Sequence, residues 1–171
     1  MSGWTVISHI RLNSANTITF NSIPQTYTDL ILLVSDRSDR AATNDALIIR
    51  LNNTTSTGRR LYGSGSTTTS TANPDPLNVS DTATANTFSN IMFYIPNYSS
   101  TTINKTWYAD GVQENNSSTN AYQSITGGLY ASNSPVTSIN LAPETGTNLK
   151  IGSSATLYGI TKGSSGGVVV S

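Results

Sequence analysis

A chain of 171 residues without cysteine is one domain's length, with no disulfide or thiolate metal site to staple it. Only 11% of its residues are charged, and nine basic residues balance nine acidic ones; this excludes a basic nucleic-acid footprint and long-range steering of charged ligands. Ser, Thr and Asn make up about two-fifths of the chain, so the surface is polar through hydroxyls and amides, and the near-zero net charge favours association.

The predicted elements are all strands. Residues 4–12 alternate, with Trp4, Val6, Ile10 and Leu12 forming the heavier apolar side on even positions. A turn cluster at 13–16 precedes a second alternation in which Ile18 and Phe20 share a face, and Pro24 ends it because proline has no N–H to give a ladder. Leu30 to Val34 is a continuous apolar run, too short for a buried helix, which predicts a central strand covered on both faces. Residues 35–45 read as a polar, turn-like loop. A strand follows at 46–51, with Leu47, Ile49 and Leu51 on one face and Arg50 between them.

A turn at 52–58 and a short strand at 59–62 lead into residues 63–86, the longest irregular stretch. A loop of that length in a compact domain is functional or mobile. Strands return at 88–95, 103–112, 122–131, 136–141 and 155–160, with a second polar loop at 113–120. Gly127-Gly128 predicts a bulge or a close neighbouring backbone within its strand. Residues 163–167 read as a Gly/Ser linker before Val168-Val169-Val170. Eight to ten short strands, with no helical period and no repeat, predict an all-β fold. The expected architecture is a single antiparallel β-sandwich over 1–163, jelly-roll-like, followed by a flexible tail at 164–171.

Chemistry-bearing constellations are sparse. His9 is the one histidine, so a catalytic triad or zinc site lacks partners. The nine carboxylates fall mostly in predicted turns, where Asp shapes backbone, rather than as a facing pair for glycoside hydrolysis. Asp36, Asp39 and Asp45 could converge on calcium, but neighbouring Arg37 and Arg40 favour local ion pairs or contacts to a partner. Gly63 and Gly65 have no following lysine or helix for a phosphate. Trp4, Trp107, Tyr108, Tyr122, Tyr130 and Tyr158 lie in strands, fitting core or subunit packing, with a sugar-stacking platform as the sharper alternative. The expectation is a non-enzymatic chain with no metal or other cofactor. The candidate partner-docking residues are Asp36, Arg37, Asp39, Arg40, Arg59 and Arg60, with the loops 35–45 and 63–86 as the candidate docking segments.

Three segments carry a family resemblance. They are Ile23-Pro24-Gln25-Thr26-Tyr27-Thr28-Asp29-Leu30, the run from Arg37 to Asp45, and the closing Ser154-Ala155-Thr156-Leu157-Tyr158-Gly159-Ile160-Thr161-Lys162-Gly163. Together these resemble virion structural proteins of tailed bacteriophages, including phages of aquatic and cyanobacterial hosts. The resemblance spans about residues 4–163 and rests on segment style and order. It implies a β-sandwich on the capsid exterior, a decoration (cement) protein that binds the shell of major capsid protein and stabilises it. It further implies a homo-oligomer, with a trimer favoured, made in the host bacterial cytoplasm. No nucleic-acid or membrane partner is expected: no basic patch, no basic-plus-apolar leader and no apolar run of membrane-span length is present. The alternative within the same resemblance is a tail or fibre adhesion domain that binds a host-surface glycan.

Overall fold

Short β-prone runs separated by Asn, Pro and Gly turns fold into strands. The computed structural model describes residues 3–64, 68–117 and 121–161. In chain order the strands are β1 (Trp4–Arg11), β2 (Ile18–Phe20), β3 (Asp29–Ser35), β4 (Asn44–Leu51), β5 (Thr54–Thr55), β6 (Thr57–Gly63) and β7 (Thr68–Thr71). They continue with β8 (Leu77–Val79), β9 (Asn90–Ile95), β10 (Lys105–Gln113), β11 (Tyr122–Tyr130), β12 (Ile139–Pro143) and β13 (Ser154–Ile160). No helix occurs among the described residues.

Two antiparallel sheets pack against each other as a β-sandwich. The larger runs β1-β13-β3-β9-β10-β11-β6-β7, and the smaller runs β2-β12-β4-β5, with β8 pairing β4. Leu30, Leu32 and Val34 of β3 point inward and meet Ile18, Phe20, Leu47, Ile49, Leu51, Ile139 and Leu141 from the smaller sheet in one buried cluster. The period-two faces expected for residues 18–20, 46–51 and 136–141 supply these side chains. At about 1.5–3 kcal/mol for each fully buried large side chain, this cluster is the principal source of stability. Asn52 and Asn53 turn β4 into β5 with φ of 50° and 62°. Asparagine tolerates this left-handed region, and a two-residue hairpin requires it.

The structure departs from the sequence reading in the phase of β1, in the stretch 63–86 and in the number of strands, thirteen among the described residues against eight to ten expected, and it decides between the alternatives left open at the glycine pair. In β1 the pairing with β13 shifts between Val6 and Ser8, so Ile7 bulges and the alternation changes phase. Trp4 and Val6 therefore lie exposed on the outside, while Ile7, Ile10 and Leu12 pack against the core. The expected single even-numbered face is split by one extra residue.

In β11 the glycine pair makes no bulge, and pairing to β10 and β6 is regular through Gly127 and Gly128. The close neighbouring backbone is the alternative that holds: a Cβ on the facing Gly58 would sit 2.0 Å from the Gly127 carbonyl oxygen, and one on Gly128 would sit 2.4 Å from the Trp107 ring. Residues 63–86 are not a free loop, since they contain β7 and β8 and bury Leu77, Asn78, Val79 and Ser80. Strand β3 is central as expected, and at Ile31 its outer face is covered by side chains of the neighbouring strands. Ile31 sits between Tyr158 and Tyr94 on adjacent strands and is 6% exposed. The expected tail at 164–171 lies outside the described residues.

Candidate functional site: the outer face of the larger sheet

The six candidate docking residues scatter. Asp36 is fully buried and accepts hydrogen bonds from Asn78 Nδ2 at 2.5 Å and from Ser89 Oγ. Burial pushes its carboxyl up to about 6, against the opposing pull of those two donors. Arg37 is also buried, and its guanidinium donates to the carbonyls of Thr84 (2.7 Å), Ala83 (2.9 Å), Thr87 (3.0 Å) and Asp81 (3.1 Å). Arg60 is buried, donates to the Asp75 carbonyl and lies over the Tyr62 ring at 5.1 Å. Burial lowers its pKa and, together with Glu144, raises that of Asp75 to about 7.

These three residues are committed to internal contacts and offer nothing to a partner. Arg40 is half-buried, 3.7 Å from Asp45, a local ion pair of the kind the charge pattern allowed. Of the six, Arg59 alone is exposed.

Asp39 and Asp45 turn their carboxylate oxygens to backbone N–H groups. Asp39 accepts the backbone N–H groups of Thr147 (2.7 Å) and Asn148 (3.1 Å). Asp45 accepts those of Ala46 (2.9 Å), Thr145 (3.1 Å) and Gly146 (2.9 Å). The carboxylates thus pin the segment after β12 to the end of the sandwich. Among the described residues no group of three or more His, Asp or Glu side chains is placed to hold a metal ion. His9 lies exposed on β1, hydrogen-bonded to Thr156 Oγ1 at 2.7 Å.

The two outer surfaces of the sandwich differ in chemistry. The smaller sheet presents a polar ladder: Arg50 donates to Asn140 Oδ1 at 3.2 Å, and Asn140 Nδ2 donates to Thr19 Oγ1 at 2.9 Å. The larger sheet presents apolar and aromatic side chains. One cross-strand row reads Val6, Tyr158, Ile31, Tyr94, Tyr108, Gly127, Arg59. The next reads His9, Thr156, Leu33, Met92, Asp110, Ile125, Leu61, Ser70. Tyr94 and Tyr108 lie with ring centroids 5.6 Å apart, and Trp4 and Tyr158 at 5.7 Å. Seven large apolar side chains of this face are substantially exposed: Trp4, Val6, Leu61, Tyr108, Val112, Ile125 and Leu129.

On β11 and β6 the usual polarity is inverted. Ser124 and Thr126 point inward at 1% and 3% exposure, whereas Ile125 points out at 55%. Arg60 is 8% exposed while its neighbour Leu61 is 49% exposed. The register of β10, β11 and β6 is continuous, so all three strands are committed to this arrangement together. A slip by one residue would exchange both faces.

Sequence reasoning missed this face because periodicity reports that a strand has two faces and not which one is inside. The available signal was Ile125 and Leu129 alternating with Ser124 and Thr126, which by itself would have been turned the other way. The strand aromatics divide accordingly: Trp107 and Tyr130 are in the core, Trp4 and Tyr108 are exposed, and Tyr122 and Tyr158 are half-buried. No protein-family model, curated protein or solved structure matches the chain.

Proposed function

We propose that the chain is a non-enzymatic structural protein of a virus particle, a decoration (cement) protein of a tailed-phage capsid. In this reading it docks, as a homo-oligomer, on the outer surface of the major capsid protein shell and stabilises it. The observation that carries the structural role is the outer face of the larger sheet, with seven large apolar side chains exposed on one broad surface and few charges. Contiguous exposed apolar surface of this kind marks contact with other proteins. The low charge of the whole chain serves the same end, because little desolvation of ions opposes association. The virion setting and the capsid partner rest on the resemblance of the three sequence segments.

The test is co-sedimentation of the purified protein with undecorated shells, with isolated tails and host envelope as parallel targets. Saturable binding to shells, at a copy number set by their symmetry, is the expected result, together with raised shell stability to heat. Binding to envelope alone would replace this reading with glycan adhesion, and binding to none of the three would end it.

A further inference from the structure

The outer face does not present its apolar residues evenly. Its most inverted part is the patch on β10, β11 and β6, where Val112, Ile125, Leu129 and Leu61 point out while Gly111, Ser124, Thr126 and Arg60 point in. Folding this patch with its apolar side in solvent is unfavourable for an isolated chain, and a partner that covers it removes the penalty. Two charges stand on the patch, Asp110 on β10 and Arg59 on β6; both are exposed, and neither has an ion-pair partner among the described residues. They lie two strands and one outward position apart, about 12 Å by strand geometry, with Ile125 and Gly127 of β11 between them.

We propose that this patch is covered by a second copy of the same chain, packed face to face through a two-fold axis that crosses β11 at Ile125–Gly127. A half-turn about an axis lying in the face and bisecting the line from Asp110 to Arg59 exchanges the two positions. Each Asp110 then meets the partner's Arg59, and the pair forms twice. Ile125 packs near its own symmetry mate, with Leu61 and Tyr108 around it.

The single opposite-charge pair makes the face self-complementary, which is what a two-fold interface requires. A closed three-fold ring needs two different patches facing different directions, and one broad face cannot supply both. The inference rests on reading the outer face as a protein-contact surface. It adds the occupant, the symmetry and the residues that set the register. The patch covers only part of an eight-stranded twisted sheet, so the interface falls at the small end of specific interfaces and the dimer is concentration-dependent.

Sedimentation velocity on the full chain from about 1 to 100 μM tests this, a range chosen for a small interface. A monomer–dimer equilibrium is expected. Ile125→Asp should weaken it by roughly 100-fold, as loss of a central buried anchor does. Arg59→Asp or Asp110→Arg should each weaken it about tenfold by placing like charges together, and the doubly reversed chain should recover most of that loss. Circular dichroism verifies that each variant is folded; these positions are exposed, and the charge-reversal series stands even if Ile125→Asp fails.

A chain that stays monomeric at the highest concentration would overturn the proposal. So would an oligomer indifferent to Ile125→Asp, or a double reversal that recovers nothing. The same variants carried into the shell co-sedimentation separate the two claims. A wild-type monomer that binds shells defeats the dimer alone, and a dimer that binds no shell, tail or envelope defeats the virion reading alone.

Discussion

The two ends of the sandwich interior are built from opposite chemistry. At one end Leu30, Leu32, Phe93, Ile95, Tyr98 and Trp107 pack with Phe20, Leu51 and Ile139 in a cluster stabilised by removal of apolar surface from water. At the other, Asp36, Arg37, Ser38, Asp45, Asn78, Ser80 and Ser89 are equally buried and are held by directed hydrogen bonds. Successive inward rows trace the change: Leu157, Leu32, Phe93, Ala109, Thr126, Arg60 is followed by Ala155, Val34, Ile91, Gly111, Ser124, Tyr62. The apolar end tolerates any close-packed shape of the right volume. The polar end requires each donor to find its acceptor, and so it fixes which loop lies where. Some capacity there is unmet: Asn78 Oδ1 and both amide atoms of Gln113 are buried without a hydrogen-bond partner among the described residues.

The contrast can be broken most severely at the apolar end. Trp107→Ala removes a ring that is 3% exposed and lies 5.6 Å from Phe93; a loss of roughly 3–5 kcal/mol is expected in a denaturant melt. A smaller but more local effect is expected at the polar end. Arg37→Met keeps the aliphatic stem and strips the donors that gather the carbonyls of Asp81, Ala83, Thr84 and Thr87. About 3 kcal/mol should be lost, with hydrogen exchange accelerating over residues 81–89 and little changing in β3. Equal acceleration in both ends would mean that the two are one cooperative unit.

Acidity separates the ends next. Asp36 keeps its proton up to about pH 6 when folded, against an ordinary value near 3.8, so between those values the folded chain binds more protons than the unfolded one. Stability therefore rises as pH falls from 7 toward 4, by up to about 3 kcal/mol from this carboxyl. Asp75, raised to about 7, acts in the same direction. Asp81, held low by Lys150, has the opposite sign and loses its contribution only at lower pH. Asp36→Asn should flatten the pH profile of the melting temperature; a profile unchanged by that substitution would remove Asp36 as its source.

The smallest effects sharpen the comparison within a single dipeptide. A Cβ on Gly128 strikes the Trp107 ring, and Gly128→Ala should cost about 1–3 kcal/mol by overpacking. A Cβ on Gly127 meets only the Trp107 carbonyl oxygen, at 3.8 Å. Gly127→Ala should stay within about 0.5 kcal/mol of wild type in a melt, because its side chain joins the outer face.

The apolar end was legible in the sequence. Leu47, Ile49 and Leu51, the pair Ile18 and Phe20, and the run from Leu30 to Val34 carry period-two or continuous apolar patterns that have few other uses. The polar end was not, because Ser, Asn, Asp and Arg between strands have the composition of an exposed loop whether or not they are buried. Residues 35–45 and 63–86 read as docking loops for that reason, yet Asp36 and Asn78 meet each other from these two segments. A hydrogen bond between residues 42 positions apart leaves no local trace. The candidate surface was hidden by the same ambiguity: Arg59 was picked out for its charge, while Ile125 alternates with Ser124 and Thr126 in a pattern that does not say which side meets water.

The sequence by itself determined the all-β class, the approximate boundaries of most strands (β5, β7 and β8 excepted) and the apolar half of the core, because alternation and turn residues act over neighbouring positions. Only the tertiary structure decided which face of β11 and β6 is inside, where β1 changes phase at Ile7, and that the polar segments close one end of the sandwich. Those choices depend on pairing between residues far apart in the chain. A strand pattern is unchanged when it is turned over, and its neighbours in the sheet decide which side meets water.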